Sequence, residues 1–468
     1  MMKIQKLLFI FILFSCLRIT SQNKQFIYGF KEIPQSLLEN PGGEVSFDKH
    51  IGIPFLSGIY VNAATSNKLI SNLFAKGVDL NTNYQAIIHE LTPKDFLAIH
   101  EQVEVLNIGY RLKNTKDYIN FGFYQELDLI VYHPKDFAIL YYQGNNDTNG
   151  NVVLNRSFNL DDVNYKGEAF GVFHVGISRK VNNKLNIGAR VKLYSGAYNI
   201  QSINNRGTIT TQQDNGNNFQ TVLKGVDASF SSSGFSGISK SSVISNAIKN
   251  GLSGGNLGLG LDLGFTYHFR DDLTLLGSVL DLGFINYSKN VNTYSISGDI
   301  EINGLDIFNP PNDKPLDYWK DIRVDVDAQI SIDTLHSSYI SFRSPKIYTS
   351  LFYEFGQYNS KKCSCATESN LKHRAYLNEV GVQLYSIFRP VKPQLAASLF
   401  YTRRIAKFLK AKVTYTVDSY SFYNIGVGVS SQFGKFNFYA ATDNLLGVTD
   451  LYNSKKISVS LGMNLIFE

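Results

Sequence analysis

The chain has 468 residues and a formal net charge of +6 at pH 7, with the charges scattered along it. No basic stripe interleaves with aromatic residues, which argues against nucleic acid as a partner. Mean hydropathy is −0.11, and past the N-terminus no apolar run approaches the ~20 residues that a spanning helix needs. The chain therefore either stays out of a membrane or enters it as strands.

In chain order the first element is a secretory signal. Lys3 and Lys6 precede an apolar stretch from Leu7 to Leu17, followed by Arg18-Ile19-Thr20-Ser21. The stretch is too short to span and has the flanks of a cleaved peptide, so residues 1–21 are expected to be removed near Ser21. Cys16 follows Leu13-Phe14-Ser15, a loose lipidation box whose bulky Phe14 disfavours that use. Residues 22–44 then contain turn chemistry without strand alternation, ending in Asn40-Pro41-Gly42-Gly43. The segment is too long for a linker and is expected to form a plug.

From residue 45 onward the pattern is period two. Leu257, Leu259, Leu261, Leu263 and Phe265 alternate with Gly258, Gly260, Asp262 and Gly264. Ile119, Phe121, Phe123, Leu127 and Leu129 alternate with polar partners. The chain closes on Ile457, Val459, Leu461, Met463, Leu465 and Phe467 set against Ser458, Ser460, Gly462 and Asn464. Behind an export signal, repeated stretches of ~10 such residues predict an all-β transmembrane antiparallel barrel, greasy toward lipid and polar toward the lumen. Fourteen strands can be laid down, near residues 45–62, 102–112, 117–131, 165–180, 183–203, 256–269, 272–287, 345–357, 374–388, 391–404, 408–418, 421–432, 434–443 and 456–467. The connections alternate between tight turns and long loops, the asymmetry of outer-membrane barrels. The long connection carrying Cys363 and Cys365 falls on the short-turn side. Arg323–Asp333 also alternates and is expected to pair with Tyr294–Ile302; entry of both into the wall would make sixteen strands. Ser229, Ser231, Ser232, Ser233 and Gly234 read as the start of a Ser/Gly-rich loop, and Asp136–Tyr142 as a short helix behind Pro134.

The strand map brings polar wall residues to similar heights. Glu126 and Asp128 on the third strand, His174 on the fourth, and Arg190 and Lys192 on the fifth are expected to form a band of opposite charges. It would be a polar track, a latch for the plug, or wall charges satisfying one another. Asp262 lies on the polar face, where Asp262→Asn is expected to be tolerated. No G-x-S-x-G, H-E-x-x-H or Walker loop occurs. No catalytic, metal or cofactor role is therefore assigned, and a lone C-x-C builds no disulfide framework.

The plug and its Asn40-Pro41-Gly42 turn resemble the FadL-type outer-membrane transporter superfamily, whose hatch carries an Asn-Pro-Ala stretch; Gly42 replaces the Ala. Glu32-Ile33-Pro34-Gln35-Ser36-Leu37-Leu38 and Asp443-Asn444-Leu445-Leu446-Gly447 resemble a Bacteroidota family of FadL-like barrels of unassigned function. The resemblance implies a barrel over residues 45–468 in a Gram-negative outer membrane, in contact with its lipid. It implies passage of a hydrophobic or amphipathic small molecule, with Asn40, Pro41 and Gly42 shaping the hatch. A non-transporting subunit or scaffold of an envelope secretion or assembly complex, bound to other envelope proteins, is the alternative. An outer-membrane hydrolase is the third.

Overall fold

The computed structural model describes residues 24–66, 88, 90–113, 116–147, 150–213, 219–235, 251, 255–303, 331–357, 376–418, 423–449 and 455–467. The signal segment, the three cysteines, most of the Ser/Gly-rich stretch and most of Arg323–Asp333 lie outside them. Among the described residues no helix is long and apolar enough to cross a membrane, which says nothing of strands.

The first wall strand is broken into β1 (Lys49–Gly52) and β2 (Ile59–Thr65). The wall continues through β3 (Phe96–Arg111) and β4 (Asp117–Tyr132), and, after the short β5 (Ser157–Asn159), through β6 (Asn164–Lys180) and β7 (Leu185–Gln213). Past β8 (Phe219–Ser233) come β9 (Asn256–Arg270) and β10 (Leu273–Tyr287). Then β11 (Val291–Asn303), β12 (Ser331–Leu335) and β13 (Tyr339–Phe342) precede β14 (Lys346–Gln357). The last six wall strands are β15 (Tyr376–Phe388), β16 (Pro393–Ala406), β17 (Leu409–Asp418), β18 (Asn424–Phe433), β19 (Phe436–Thr442) and β20 (Lys456–Phe467).

All pairings in the wall are antiparallel, and the sheet closes where β20 pairs with β1 and β2, from Lys49↔Phe467 to Ala64↔Lys456. The result is a closed barrel of 14 strands. Closure leaves no unpaired edge in the wall. The sixteen-strand alternative is excluded, because β7 pairs directly with β9, and β10 directly with β14. Instead, β8, β11 and β12 form a sheet on the long upper half of β7, with β8 pairing β7, β11 pairing β8, and β12 pairing β11. Of the stretch 323–333 only Ser331–Asp333 are described; they pair with Ser297–Ser295 of β11, and the rest of that expectation lies outside the described residues.

Two sequence readings are corrected. Ser229 and Ser231–Ser233 belong to β8 and are buried. Ser231 Oγ lies 2.7 Å from Thr293 Oγ1, and Ser233 Oγ donates to Lys289 O at 2.8 Å. Serines fill this sheet, so no apolar alternation announces it. The first strand is not continuous either. Pro54 cannot donate to a ladder, and the chain bulges between Ile53 and Leu56, which both still bond Met463, with Phe55 at φ +62 and Ser57 turned into the interior.

The radial pattern is inverted relative to a water-soluble domain. Leu259, Val191, Val382 and Leu399 are half exposed or more, while Asp262, Arg190, Lys412 and Asn464 are nearly or wholly buried. Exposed aromatics gather near the short turns, where Phe408 meets Phe433 at 4.9 Å and Phe436 is 61% exposed. Helices are minor: α1 (Ser36–Glu39), α2 (Lys135–Gln143) and α3 (Leu445–Thr449). Helix α2 follows Pro134 as the sequence suggests, with Pro134 as its N-cap.

Candidate functional site

Residues 24–44 pack against inward-facing wall residues. A segment with so little regular structure leaves carbonyls unpaired, and wall side chains satisfy them. Lys412 Nζ reaches the carbonyls of Gln25, Phe26 and Tyr28 at 3.4, 3.2 and 3.1 Å. Arg190 donates to Leu37 O at 2.8 Å and to Leu38 O. Ser278 Oγ donates to Glu39 O at 2.6 Å. Gln35 bridges Glu104 and Asn464 at 2.7 and 3.0 Å. Lys24 pairs with Glu39 at 3.0 Å inside the segment.

The Asn40-Pro41-Gly42 turn sits on a wall thinned by glycine. Asn40 Nδ2 donates to Phe265 O at 3.1 Å, and Asn40 Oδ1 accepts from the Gly42 amide at 3.0 Å. Gly42 O accepts from Asn186 Nδ2 and Thr266 Oγ1 at 2.9 and 2.8 Å. The approach is so close that only glycine fits beneath it. A Cβ at Gly264 would lie 2.1 Å from Asn40 Oδ1, and one at Gly188 would lie 2.0 Å from Pro41 O. At the turn end of the barrel, Lys31 and His268 hold Glu44 at 3.2 and 3.0 Å. Burial pushes the Glu44 carboxyl up, but Lys31 and His268 bring it well below the usual carboxylate range.

Opposite this turn, the outward face of the wall carries a depression of about 580 Å³ across β6, β7, β9 and β10. Ile177, Ile187, Leu263 and Phe265 rim it, the Phe265 ring lying over Gly277, and Ala189 leaves it hollow. Two cavities between residues 24–44 and the wall are far smaller, about 10 Å³ beside Lys24 and Glu104 and about 20 Å³ beside Glu32 and Lys410. Each has room for about one water.

Above residues 24–44, the polar residues singled out in the sequence enter a larger network. Arg190 and Lys192 meet at Asp262, at 2.5 and 2.9 Å, and Lys192 also pairs with Asp281 at 2.5 Å. Lys346 bridges Asp281 and Glu126 at 2.9 and 3.5 Å. Asp128 binds Arg389 at 2.5 Å, with His100 at 3.5 Å. Glu126 binds Arg343 at 3.1 Å. Among the described residues, Arg190 and Lys192 thus join Glu126 through Asp262, Asp281 and Lys346, and Asp128 follows through His100. His174 stays outside the pairing. It is buried 5.8 Å from the Tyr124 ring, and neither ring nitrogen has a hydrogen-bond partner among the described residues.

Sequence reasoning missed Glu168, Asp281, Arg343, Lys346 and Arg389. Asp281 sits in a bulge at φ +61, where the β10–β9 register shifts and the period-two pattern breaks. Arg343 and Arg389 lie in connections at the loop end, where alternation says nothing. One further constellation bears on hydrolysis. His268 lies 3.0 Å from Glu44 and 2.9 Å from Thr274 Oγ1. Thr274 is wholly buried, so no substrate carbonyl reaches its hydroxyl.

These features define a closed fourteen-stranded antiparallel barrel, apolar outside and polar inside, with its N-terminal segment bonded to the inner wall. The sequence pattern of the family described as "Family of unknown function (DUF5723)" matches residues 41–443, and the chain belongs to that family. No curated protein matches the chain. Among solved structures it is similar to the Pseudomonas putida toluene transporter TodX, at 11% identity and TM-score 0.37, covering 96% of this chain and 94% of that one. It is also similar to a Pseudomonas aeruginosa FadL homologue, at 8% identity and TM-score 0.43, covering 97% and 100%. The translocator domain of the autotransporter NalP from Neisseria meningitidis follows, at 6% identity and TM-score 0.28, covering 90% and 89%.

Proposed function

We propose that the protein is an outer-membrane barrel that passes a hydrophobic or amphipathic small molecule, with residues 24–44 as the hatch. An outward face of half-exposed Leu, Val and Phe around a buried polar interior has lipid as its natural solvent. The observation that carries the passage reading is the apolar depression of about 580 Å³, backed by the glycine-thinned wall on which Asn40-Pro41-Gly42 rests. A greasy molecule in that hollow is separated from the hatch by backbone alone. The neighbouring lumen is filled by plug and ion pairs, so the reading involves no standing water-filled pore. Removal of residues 1–21 as an export signal belongs to the same proposal.

The scaffold alternative predicts a protein partner and no small molecule. Native mass spectrometry after extraction in mild detergent separates the two. The expected result is a bound lipophile that is lost when Ala189→Trp fills the depression. A protein partner at fixed stoichiometry, with no lipophile in either form, would overturn the passage reading.

A further inference from the structure

We infer that the loop end of the lumen holds a binding cage for an organic cation, a guanidinium or alkylammonium group, which Arg343 of the chain itself now occupies. The Arg343 guanidinium lies 4.0 Å from the Phe170 ring centroid and 5.8 Å from that of Tyr194. It pairs with Glu168 and, at 3.1 Å, with Glu126. Carboxylates on one side and aromatic faces on the other are the chemistry that recognises a desolvated organic cation.

The wall alone does not balance its charges here. Glu126, Asp128, Glu168, Asp262 and Asp281 face four wall cations, Lys166, Arg190, Lys192 and Lys346. Arg343 and Arg389, both from loop-end connections, bind Glu126, Glu168 and Asp128. Without Arg343, Glu168 keeps only Lys166, at 3.8 Å, as an ion-pair partner among the described residues.

Arg343 does not fill the cage completely: its Nε is buried with no hydrogen-bond partner among the described residues. Tyr287 stacks on Tyr339 at 5.4 Å, and the Tyr339 hydroxyl donates to Asn199 at 2.6 Å. Asn199 and Ser341 in turn donate to Glu168 at 3.2 and 2.7 Å. Arg343 has means of withdrawal. It follows β13, which is four residues long, pairs with β10 alone, and is preceded by exposed residues 336–338. An incoming cation that takes the cage exchanges one guanidinium for another and leaves Glu168 and Glu126 neutralised.

The inference rests on the passage reading only for the direction of entry, and it names the ligand as an amphipath with a cationic head. The test uses the full protein in lipid nanodiscs with dodecylguanidinium, and with dodecanoate as the chain-matched anion. Wild type should bind the cation at least tenfold more tightly than the anion. Arg343→Ala should bind the cation at least tenfold more tightly again, and Glu168→Gln on that background should remove the gain. Phe170→Leu, which keeps every charge, should weaken cation binding several-fold; it supplies the test if Arg343→Ala fails to fold. Equal binding of cation and anion, or indifference to Phe170→Leu, would overturn the cage. Transfer of the anion with no cation preference would sink the cage and leave passage standing. Cation binding without transfer would do the reverse.

Discussion

Gly264 shows how much of this architecture hangs on single positions. Its missing side chain lets Asn40 Oδ1 approach to where a Cβ would stand 2.1 Å away. Gly264→Val suits a strand by propensity but forces the plug turn off the wall, an overpacking cost of about 1–3 kcal/mol. Limited trypsinolysis at Lys31 should quicken while the wall strands stay protected; an unchanged cleavage rate would mean that the turn does not rest there. Asp262 and its neighbour Leu261 form a second case. Alternation alone makes Leu261 the sensitive position, because Leu261→Arg puts a charge on the lipid face at a cost of ~2–4 kcal/mol. It also makes Asp262→Asn look harmless. The structure reverses that expectation. Asp262 is wholly buried and accepts from Arg190, Lys192 and the Asp281 amide. Removing its charge leaves the buried Arg190 without an ion-pair partner among the described residues, while Lys192 keeps Asp281, a loss of about 3–5 kcal/mol. Denaturant unfolding in detergent should find Asp262→Asn at least as damaging as Leu261→Arg, and a near-neutral Asp262→Asn would contradict the network.

At the level of elements, the wall was legible because its apolar outer face and polar inner face impose opposite chemistry on successive residues. The expected strand at 117–131 is β4 at Asp117–Tyr132, and the expected 456–467 is β20 at Lys456–Phe467. Where that double constraint lapses, legibility lapses with it. Strand β8 is paired on both sides by β7 and β11, and serines pack there. The broken first strand is betrayed only by Pro54. The ion-pair network was half legible. Glu126, Asp128, Arg190 and Lys192 sit on regular strands, whereas the Arg343 and Arg389 that complete it come from loops with no periodicity. Closure is the function of β20, which pairs with β19 on one side and with β1 and β2 on the other. Deleting residues 457–468 should abolish the heat-modifiable, folded form on gels, since both neighbours become free edges. A truncated chain that still shifts on heating would place closure elsewhere.

On the scale of the whole molecule, three layers stack along one axis. The glycine-seated plug lies toward the short turns, the buried ion pairs above it, and the Arg343 cage at the loop end. An apolar hollow in the wall faces the first layer. On the proposed function such a body passes a greasy molecule without an ion path, since the described cavities between residues 24–44 and the wall hold about a water each. The most direct test is the rate at which a slowly flipping amphipathic fluorescent probe crosses proteoliposomes under a potassium gradient. Wild type should speed the probe at least tenfold over protein-free vesicles without dissipating the gradient, and Ala189→Trp should return the rate to the protein-free value. Probe movement no faster than in protein-free vesicles, or movement that always brings ion leak with it, would contradict a plugged barrel that passes hydrophobic molecules.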